Sequence, residues 1–149
     1  MLGRDTETVA PTGLAYEDLW VGRSAHLERL VDDALVRQFS ALSGDDNPVH
    51  LDEAFARTTR FGGRIAQGML GAAFISAVIG GHLPGHGTIY LSQSLTFKAP
   101  VRLGDRVITE VTITQLRPEK SRAVLKTVCR VGDTVVIEGE ALVMVPKRG

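Results

Sequence analysis

The segment from about Gln67 to Ile79 constrains the fold more than any other part of the chain. Its apolar residues leave almost no polar face: Met69, Leu70, Ala72, Ala73, Phe74, Ile75, Ala77, Val78 and Ile79. A helix that is apolar on every side must be surrounded by other apolar surfaces. We therefore predict a buried helix, ended by Gly80 and Gly81 with Pro84 just beyond. The apolar stretch is shorter than the ~20 residues that cross a bilayer.

Everything after this helix is predicted to be strand. Residues that suit a pleated sheet fill four segments: Ile89–Phe97, Asp105–Leu116, Arg122–Val131 and Thr134–Val145. Short turns at Pro118–Ser121 and Gly132–Asp133 favour an antiparallel meander. A curved antiparallel sheet wrapped around one central buried helix, the α+β hot-dog arrangement, satisfies both patterns. Pairing with a second copy would cover the sheet edges, so we expect a homodimer.

The chain before the buried helix holds shorter elements. We predict a strand at Arg23–Arg29, a helix from Asp32 or Asp33 to about Leu42, and a helical piece from Asp52 to about Thr58. Gly44 stands where a helix commonly ends in the left-handed conformation. Residues 1–13 are expected to be a flexible tail, and residues 14–149 a single domain.

Length and charge limit the class of partner. The 149 residues are the length of one domain, and 17 basic against 17 acidic residues give a formal net charge of zero. That balance argues against nucleic-acid and anionic-membrane partners, which need a basic surplus. The N-terminus lacks the apolar run of a secretory signal. Cys129 is the only cysteine, so we expect a buried thiol in a soluble cytoplasmic protein.

The densest polar cluster is the turn over residues 44–50. Pro48 fixes its own φ and moves Asn47 out of the helical region, which stiffens the turn. Asp45 and His50 lie five residues apart across it. If they converge, the carboxylate and the imidazole can share a water molecule and move its proton. The alternative is that the acidic and amide side chains only cap the turn, with His50 half buried behind them.

Gly68 is a second candidate, because it stands at the predicted start of the buried helix. Backbone N–H groups in the first turn of a helix lack intrahelical partners, and the helix dipole there favours negative charge. Such an N–H can stabilise the oxygen of a polarised carbonyl. Tight packing of helix against sheet would equally explain a glycine at this position.

Three runs of sequence, taken in order, resemble the MaoC-like hydratase family. They are FSALSGDDNPVHLD at Phe39–Asp52, RIAQGML at Arg64–Leu70 and IYLSQSLTFK at Ile89–Lys98. More narrowly, they resemble the (R)-specific enoyl-CoA hydratases that feed polyhydroxyalkanoate synthesis. The resemblance extends from about residue 14 to 145 and is strongest over residues 39–100.

This resemblance implies a hot-dog homodimer that reversibly adds water to trans-2-enoyl-CoA, giving (R)-3-hydroxyacyl-CoA. It implies a catalytic dyad of Asp45 and His50, supported by Asn47 and the Gly68 N–H as oxyanion hole, with Ser76 and Gln67 in the substrate pocket. We expect Asp45 to act as base and His50 to deliver the proton, an order that the sequence leaves reversible. No metal or redox cofactor is needed for these roles. The alternatives are a 3-hydroxyacyl-thioester dehydratase acting on acyl carrier protein and a non-catalytic acyl-CoA-binding hot-dog protein.

Two positions depart from the family pattern. Gln67 replaces a common histidine, and Arg64 replaces a common proline, which predicts a less rigid loop. Asp46 falls where the pattern is permissive and stays outside the catalytic set.

Other charged side chains give weaker signals. Four cations are candidates for the phosphates of coenzyme A, with solvated surface charge as the alternative: Arg60, Arg64, Lys98 and Arg102. His82 and His86 have the spacing of a helical zinc pair, but Pro84 and Gly85 lie between them. We therefore predict no metal site.

Overall fold

The computed structural model describes residues 13–149, so the predicted tail lies, apart from Gly13, outside the described residues. The helices are α1 (Asp33–Ser43), α2 (Pro48–Leu51), α3 (Glu53–Ala56) and α4 (Gly68–Gly81). The strands are β1 (Ser24–Leu30), β2 (Ile89–Gln93), β3 (Thr96–Phe97), β4 (Arg106–Arg117), β5 (Arg122–Val131) and β6 (Thr134–Met144). Two single 3-10 turns lie at Tyr16–Asp18 and Pro118–Lys120. Except for the strand predicted at Ile89–Phe97, the predicted strands and the long apolar helix are thus confirmed to within a few residues.

The strands form one antiparallel sheet in the order β1-β4-β5-β6-β2, with β3 pairing beside β2 on β6. The predicted meander is confirmed for β4, β5 and β6, whereas β1 and β2 attach to its two outer sides. The single strand expected at Ile89–Phe97 is wrong, because it is divided into β2 and β3. A Cβ at Gly139 of β6 would lie 1.8 Å from the Ser94 carbonyl oxygen, so the chain crosses directly over this glycine between the two strands.

Helix α4 packs on the concave side of the sheet, against β4 and less extensively against β1 and β5. Its buried residues are Leu70, Gly71, Phe74, Ile75, Val78 and Ile79. The opposite side, called here the open face of α4, is exposed and consists of Met69, Ala73, Ser76, Ala77 and Gly80. The hot-dog architecture is confirmed, but burial of the helix on every side is wrong for a single chain, because the sheet covers only one side of it.

Capping residues set where the N-terminal helices begin and end. The Asp32 carboxylate accepts a hydrogen bond from the Leu35 N–H at 2.9 Å, and Gly44 ends α1 with a φ of 85°. The sequence analysis missed α2, although Asn47 caps it and Pro48 occupies its first turn. An asparagine cap followed by proline is a helix-start signal, so this element was detectable.

Two smaller predictions concern burial and membranes. The Cys129 thiol is buried in the core, as expected. No helix in the described part of the chain is long and apolar enough to cross a membrane.

Candidate active site

The Asp45 and His50 side chains converge at the end of α1 and the start of α2. The distance from Asp45 Oδ2 to His50 Nε2 is 3.9 Å. The His50 side chain is 9% exposed, and the Asp45 side chain is 45% exposed. One member of the pair therefore faces the protein interior and the other faces the solvent.

Asn47 organises this turn without contacting the imidazole. Its backbone N–H donates to Asp45 Oδ1 at 3.2 Å, and its side-chain oxygen accepts from the Val49 N–H at 3.2 Å. The first bond orients the carboxylate, and the second caps the helix that carries His50. The capping role raised in the sequence analysis and a dyad of Asp45 and His50 are thus compatible.

A main-chain carbonyl sets the tautomer of His50. The Nδ1 atom lies 2.8 Å from the Ile65 carbonyl oxygen. Because a carbonyl oxygen can only accept, Nδ1 carries a hydrogen, and in the neutral imidazole Nε2 presents its lone pair. That lone pair is on the ring nitrogen nearest the Asp45 carboxylate.

The gap between the two groups fits one water molecule. At 3.9 Å the pair is too far apart for a direct hydrogen bond. If a water oxygen lies about 2.8 Å from both atoms, the angle between the two acceptors at that oxygen is roughly 90°. This is close to the angle at a water that donates two hydrogen bonds. Both of its hydrogens would then be held, and its lone pairs would face a substrate.

A cavity of about 560 Å³ lies beside the dyad. Its lining is mainly apolar and includes Leu70, Phe74, Phe97, Val136 and Ile137, together with His50, Gln67 and Gly68. Within residues 13–149, no acceptor is paired with the Gly68 N–H. A Cβ at Gly68 would meet the Phe97 ring at 2.9 Å. The glycine thus leaves room for both the ring and a ligand oxygen.

Gln67 lines the same cavity, but its amide is committed to α1. It is 3% exposed, and its Nε2 donates to the Val36 carbonyl at 3.0 Å and to Ser40 Oγ at 2.9 Å. Its Oε1 is buried and has no hydrogen-bond partner in the described part of the chain. The side chain therefore joins the start of α4 to the helix that leads into the turn of Asp45.

The other predicted pocket residue lies elsewhere. Ser76 is on the open face of α4 and does not line the cavity. Cys129 does line it. Burial raises the pKa of this thiol, and its hydrogen bond with Thr109 acts in the opposite direction. Cys129 therefore stays protonated and serves as an apolar wall.

The four candidate cations separate into two groups. Arg64 is hydrogen-bonded to Asp33, and Lys98 Nζ lies 3.2 Å from Glu138. Arg60 and Arg102 line the cavity, and no ion pair to either is found among residues 13–149. The Arg60 guanidinium lies 4.7 Å from the centre of the Phe61 ring, which also lines the cavity.

The hydrogen bonds made by Arg64 and Ile65 were not predicted. The partners in these bonds lie 11 to 31 residues away along the chain, so no local pattern could have found them. Across residues 13–149, no three His, Cys, Asp or Glu side chains are grouped to hold a metal ion.

Comparison with known proteins connects this geometry to a family. The MaoC like domain matches residues 21–139 of this chain. The (R)-specific enoyl-CoA hydratase of Rhodospirillum rubrum is 54% identical over 134 residues, which are 90% of this chain and 93% of that protein.

Solved structures agree with the match. The unliganded R-hydratase from Pseudomonas aeruginosa superposes with a TM-score of 0.87 and 43% identity, covering 91% of this chain and 88% of that one. The (R)-hydratase from Aeromonas caviae involved in PHA biosynthesis gives 0.85 and 47%, covering 87% and 99%. This chain, in which Asp45 and His50 lie close together beside an apolar cavity, belongs to the MaoC-like family.

Proposed function

We propose that this protein is an (R)-specific enoyl-CoA hydratase, a hydro-lyase that reversibly converts trans-2-enoyl-CoA and water into (R)-3-hydroxyacyl-CoA. The observation that carries the proposal is the 3.9 Å separation of Asp45 Oδ2 and His50 Nε2, which one water molecule can bridge. The pair lies beside an apolar cavity lined by Gly68, whose N–H has no acceptor among residues 13–149. The relatives reported above have (R)-hydratase activity in their names.

The reaction needs an activated water and a polarised thioester. The water oxygen bonds to the electrophilic β-carbon while one of its O–H bonds breaks. The electron pair of the C=C bond moves toward the thioester oxygen, and the Gly68 N–H donates to that oxygen as negative charge develops. The charge then returns to the α-carbon, which takes up a proton and completes the addition.

The tautomer supports an order for the proton transfers. Because Nδ1 donates to the Ile65 carbonyl, neutral His50 can accept at Nε2 but cannot donate there. His50 therefore takes the proton from water and returns it to the α-carbon. Asp45 accepts the second hydrogen of the water and stabilises the imidazolium that forms between the two steps. This order is the reverse of our first expectation, which the sequence had left open.

The cavity supports an acyl thioester as the substrate. Its apolar walls fit an acyl chain, and the dyad and Gly68 lie along them. Arg60 and Arg102 line the cavity, and no ion pair to either is found among residues 13–149, so we assign to them the phosphates of coenzyme A. The product would suit polyhydroxyalkanoate precursor supply or fatty-acid metabolism, and a cytoplasmic location stays a prediction.

We propose a homodimer because two surfaces of the described chain are exposed, the outer strand β2 and the open face of α4. Strand β2 carries three exposed apolar or aromatic side chains, Ile89, Tyr90 and Leu91. The opposite outer strand, β1, carries charged residues such as Glu28 and Arg29, which discourage pairing. The proposed partner is a second copy that pairs along β2 and also covers the open face of α4.

The test is the hydration of crotonyl-CoA, followed by loss of the enoyl-thioester absorbance with chiral analysis of the product. We expect the (R)-3-hydroxy product, and a fall in turnover of roughly 10²-fold or more for Asp45→Asn and for His50→Gln. Asp46→Asn is the matched control, since Asp46 is the exposed neighbour outside the dyad, and should keep nearly full turnover.

Three results would count against the proposal. Near-normal turnover in both dyad variants would mean that other groups activate the water. Turnover of the acyl carrier protein thioester with none on crotonyl-CoA would favour the dehydratase alternative, and binding without turnover of either would favour a non-catalytic acyl-CoA-binding protein.

A further inference from the structure

Arg64 makes three hydrogen bonds, one of which holds the main chain of His50. Its Nε donates to the His50 carbonyl at 2.8 Å, and its Nη2 donates to Asp33 Oδ1 at 2.7 Å. Its backbone N–H donates to Glu53 Oε1 at 3.3 Å. The side chain is 13% exposed. The less rigid loop expected at this position stays a prediction, and the arginine ties that loop to three other segments.

The residue after Arg64 holds the same histidine from the other end. The Ile65 carbonyl accepts from His50 Nδ1 at 2.8 Å, and the Ile65 N–H donates to the Val49 carbonyl at 3.3 Å. Residues 64 and 65 therefore bind both the main chain and the imidazole of His50. A displacement of this dipeptide would move the acceptor that fixes the tautomer of the ring.

Asp33 anchors the guanidinium from the first turn of α1. Its carboxylate also accepts from Arg37 Nε at 3.0 Å. Hydrogen bonds from Arg64 first, and from Arg37 second, hold the pKa of Asp33 below its ordinary value. The carboxylate is therefore ionised at neutral pH and can orient Arg64 toward the His50 carbonyl.

We propose that Arg64, anchored by Asp33, is a positioning residue for hydration: it holds the 64–65 dipeptide so that His50 keeps its Nδ1–H tautomer and its distance from Asp45. The proposal rests on the function proposed above. It assigns to Arg64 no contact with substrate and a role that acts only through His50.

Arg57 supplies a matched control on the neighbouring helix. Its Nε donates to Glu53 Oε2 at 3.0 Å, so it too forms an ion pair at this end of the molecule. It is 72% exposed and does not contact His50. Arg57→Met removes only a surface guanidinium, whereas Arg64→Met also removes the hydrogen bond to the His50 carbonyl. Comparing the two variants separates these effects.

The experiment compares Arg64→Met, Arg64→Lys, Asp33→Asn and Arg57→Met in steady-state hydration of crotonyl-CoA. We expect kcat to fall roughly 10- to 100-fold in Arg64→Met, with KM within about twofold, since a small misplacement of a catalytic group reduces turnover more than binding. Arg64→Lys should remain impaired, because one ammonium cannot reproduce the planar fork. Asp33→Asn should show a smaller fall, and Arg57→Met should match the wild type.

A second measurement reads His50 directly. Nitrogen-15 NMR of the imidazole should show the Nδ1-protonated tautomer in the wild type and in Arg57→Met, and a mixture of tautomers in Arg64→Met. Wild-type kcat or an unchanged tautomer in folded Arg64→Met would overturn the proposal. If that variant fails to fold, Asp33→Asn and Arg64→Lys are judged by the same criteria. An inactive wild type would refute the proposed function, while the tautomer measurement would still test the role of Arg64.

Discussion

A methyl group added at Gly71 would lie 2.2 Å from Ile137 Cδ1, where ordinary contacts begin near 3.4 Å. The two groups must separate by roughly 1.2 Å, although both residues are buried between α4 and β6. Overpacking of a core in this way costs about 1–3 kcal/mol. The higher helix propensity of alanine offsets this cost by raising the free energy of unfolding by about 1 kcal/mol.

We therefore expect Gly71→Ala to lower the free energy of unfolding by about 1 kcal/mol, within a range of 0–2, and Tm by about 2–4 °C for each kcal/mol. Because Ile137 also lines the cavity, its displacement should reduce the space for the acyl chain. KM should accordingly rise more for a longer enoyl-CoA than for crotonyl-CoA. Urea denaturation and steady-state kinetics measure the two effects.

The same helix supplies the control. Apart from its chain neighbours and the backbone of its own helix, no atom of residues 13–149 lies within 4 Å of a Cβ added at Gly81. Gly81→Ala should therefore be neutral or stabilising by up to about 1 kcal/mol. Ile137→Val removes the clashing methyl, and the cost of Gly71→Ala should largely disappear in that background. If Gly71→Ala proves as stable as Gly81→Ala, or if its cost survives Ile137→Val, the packing argument is wrong.

Three further predictions concern the substrate, the assembly and pH. Arg60→Met with Arg102→Met should raise KM for crotonyl-CoA several-fold and leave hydration of crotonyl-pantetheine, which lacks the nucleotide phosphates, unchanged; equal effects on both would refute the assignment. Ala77→Arg on the open face of α4 should yield monomers by light scattering, and an unchanged dimer would exclude that face. The pKa of Asp33 is lowered in the folded state, so the ionised carboxylate stabilises the fold at pH values above its ordinary pKa of 3.8, and this stabilisation is lost as pH falls through the folded-state pKa. The difference in Tm between wild type and Asp33→Asn should therefore shrink below about pH 4. A difference that persists there would exclude this ion pair as its cause.

Local chemistry made much of this protein predictable. The apolar run of α4, the cap at Asp32 and the left-handed Gly44 each act within one turn of chain, so the sequence shows them directly. Asp45 and His50 could be paired for the same reason, because a stiff turn holds residues five apart within reach of one another. Position in the chain also identified Gly68 as the start of the long helix.

The tertiary structure decided what these groups can do. The tautomer of His50 depends on the Ile65 carbonyl 15 residues away, and the hold of Arg64 depends on Asp33, 31 residues away. Gln67 and Val36 are likewise joined across 31 residues. Such contacts depend on how whole elements pack, and side-chain type and spacing do not encode that. For the same reason the sequence could determine that α4 is apolar, whereas only the packed sheet determined which face it leaves open.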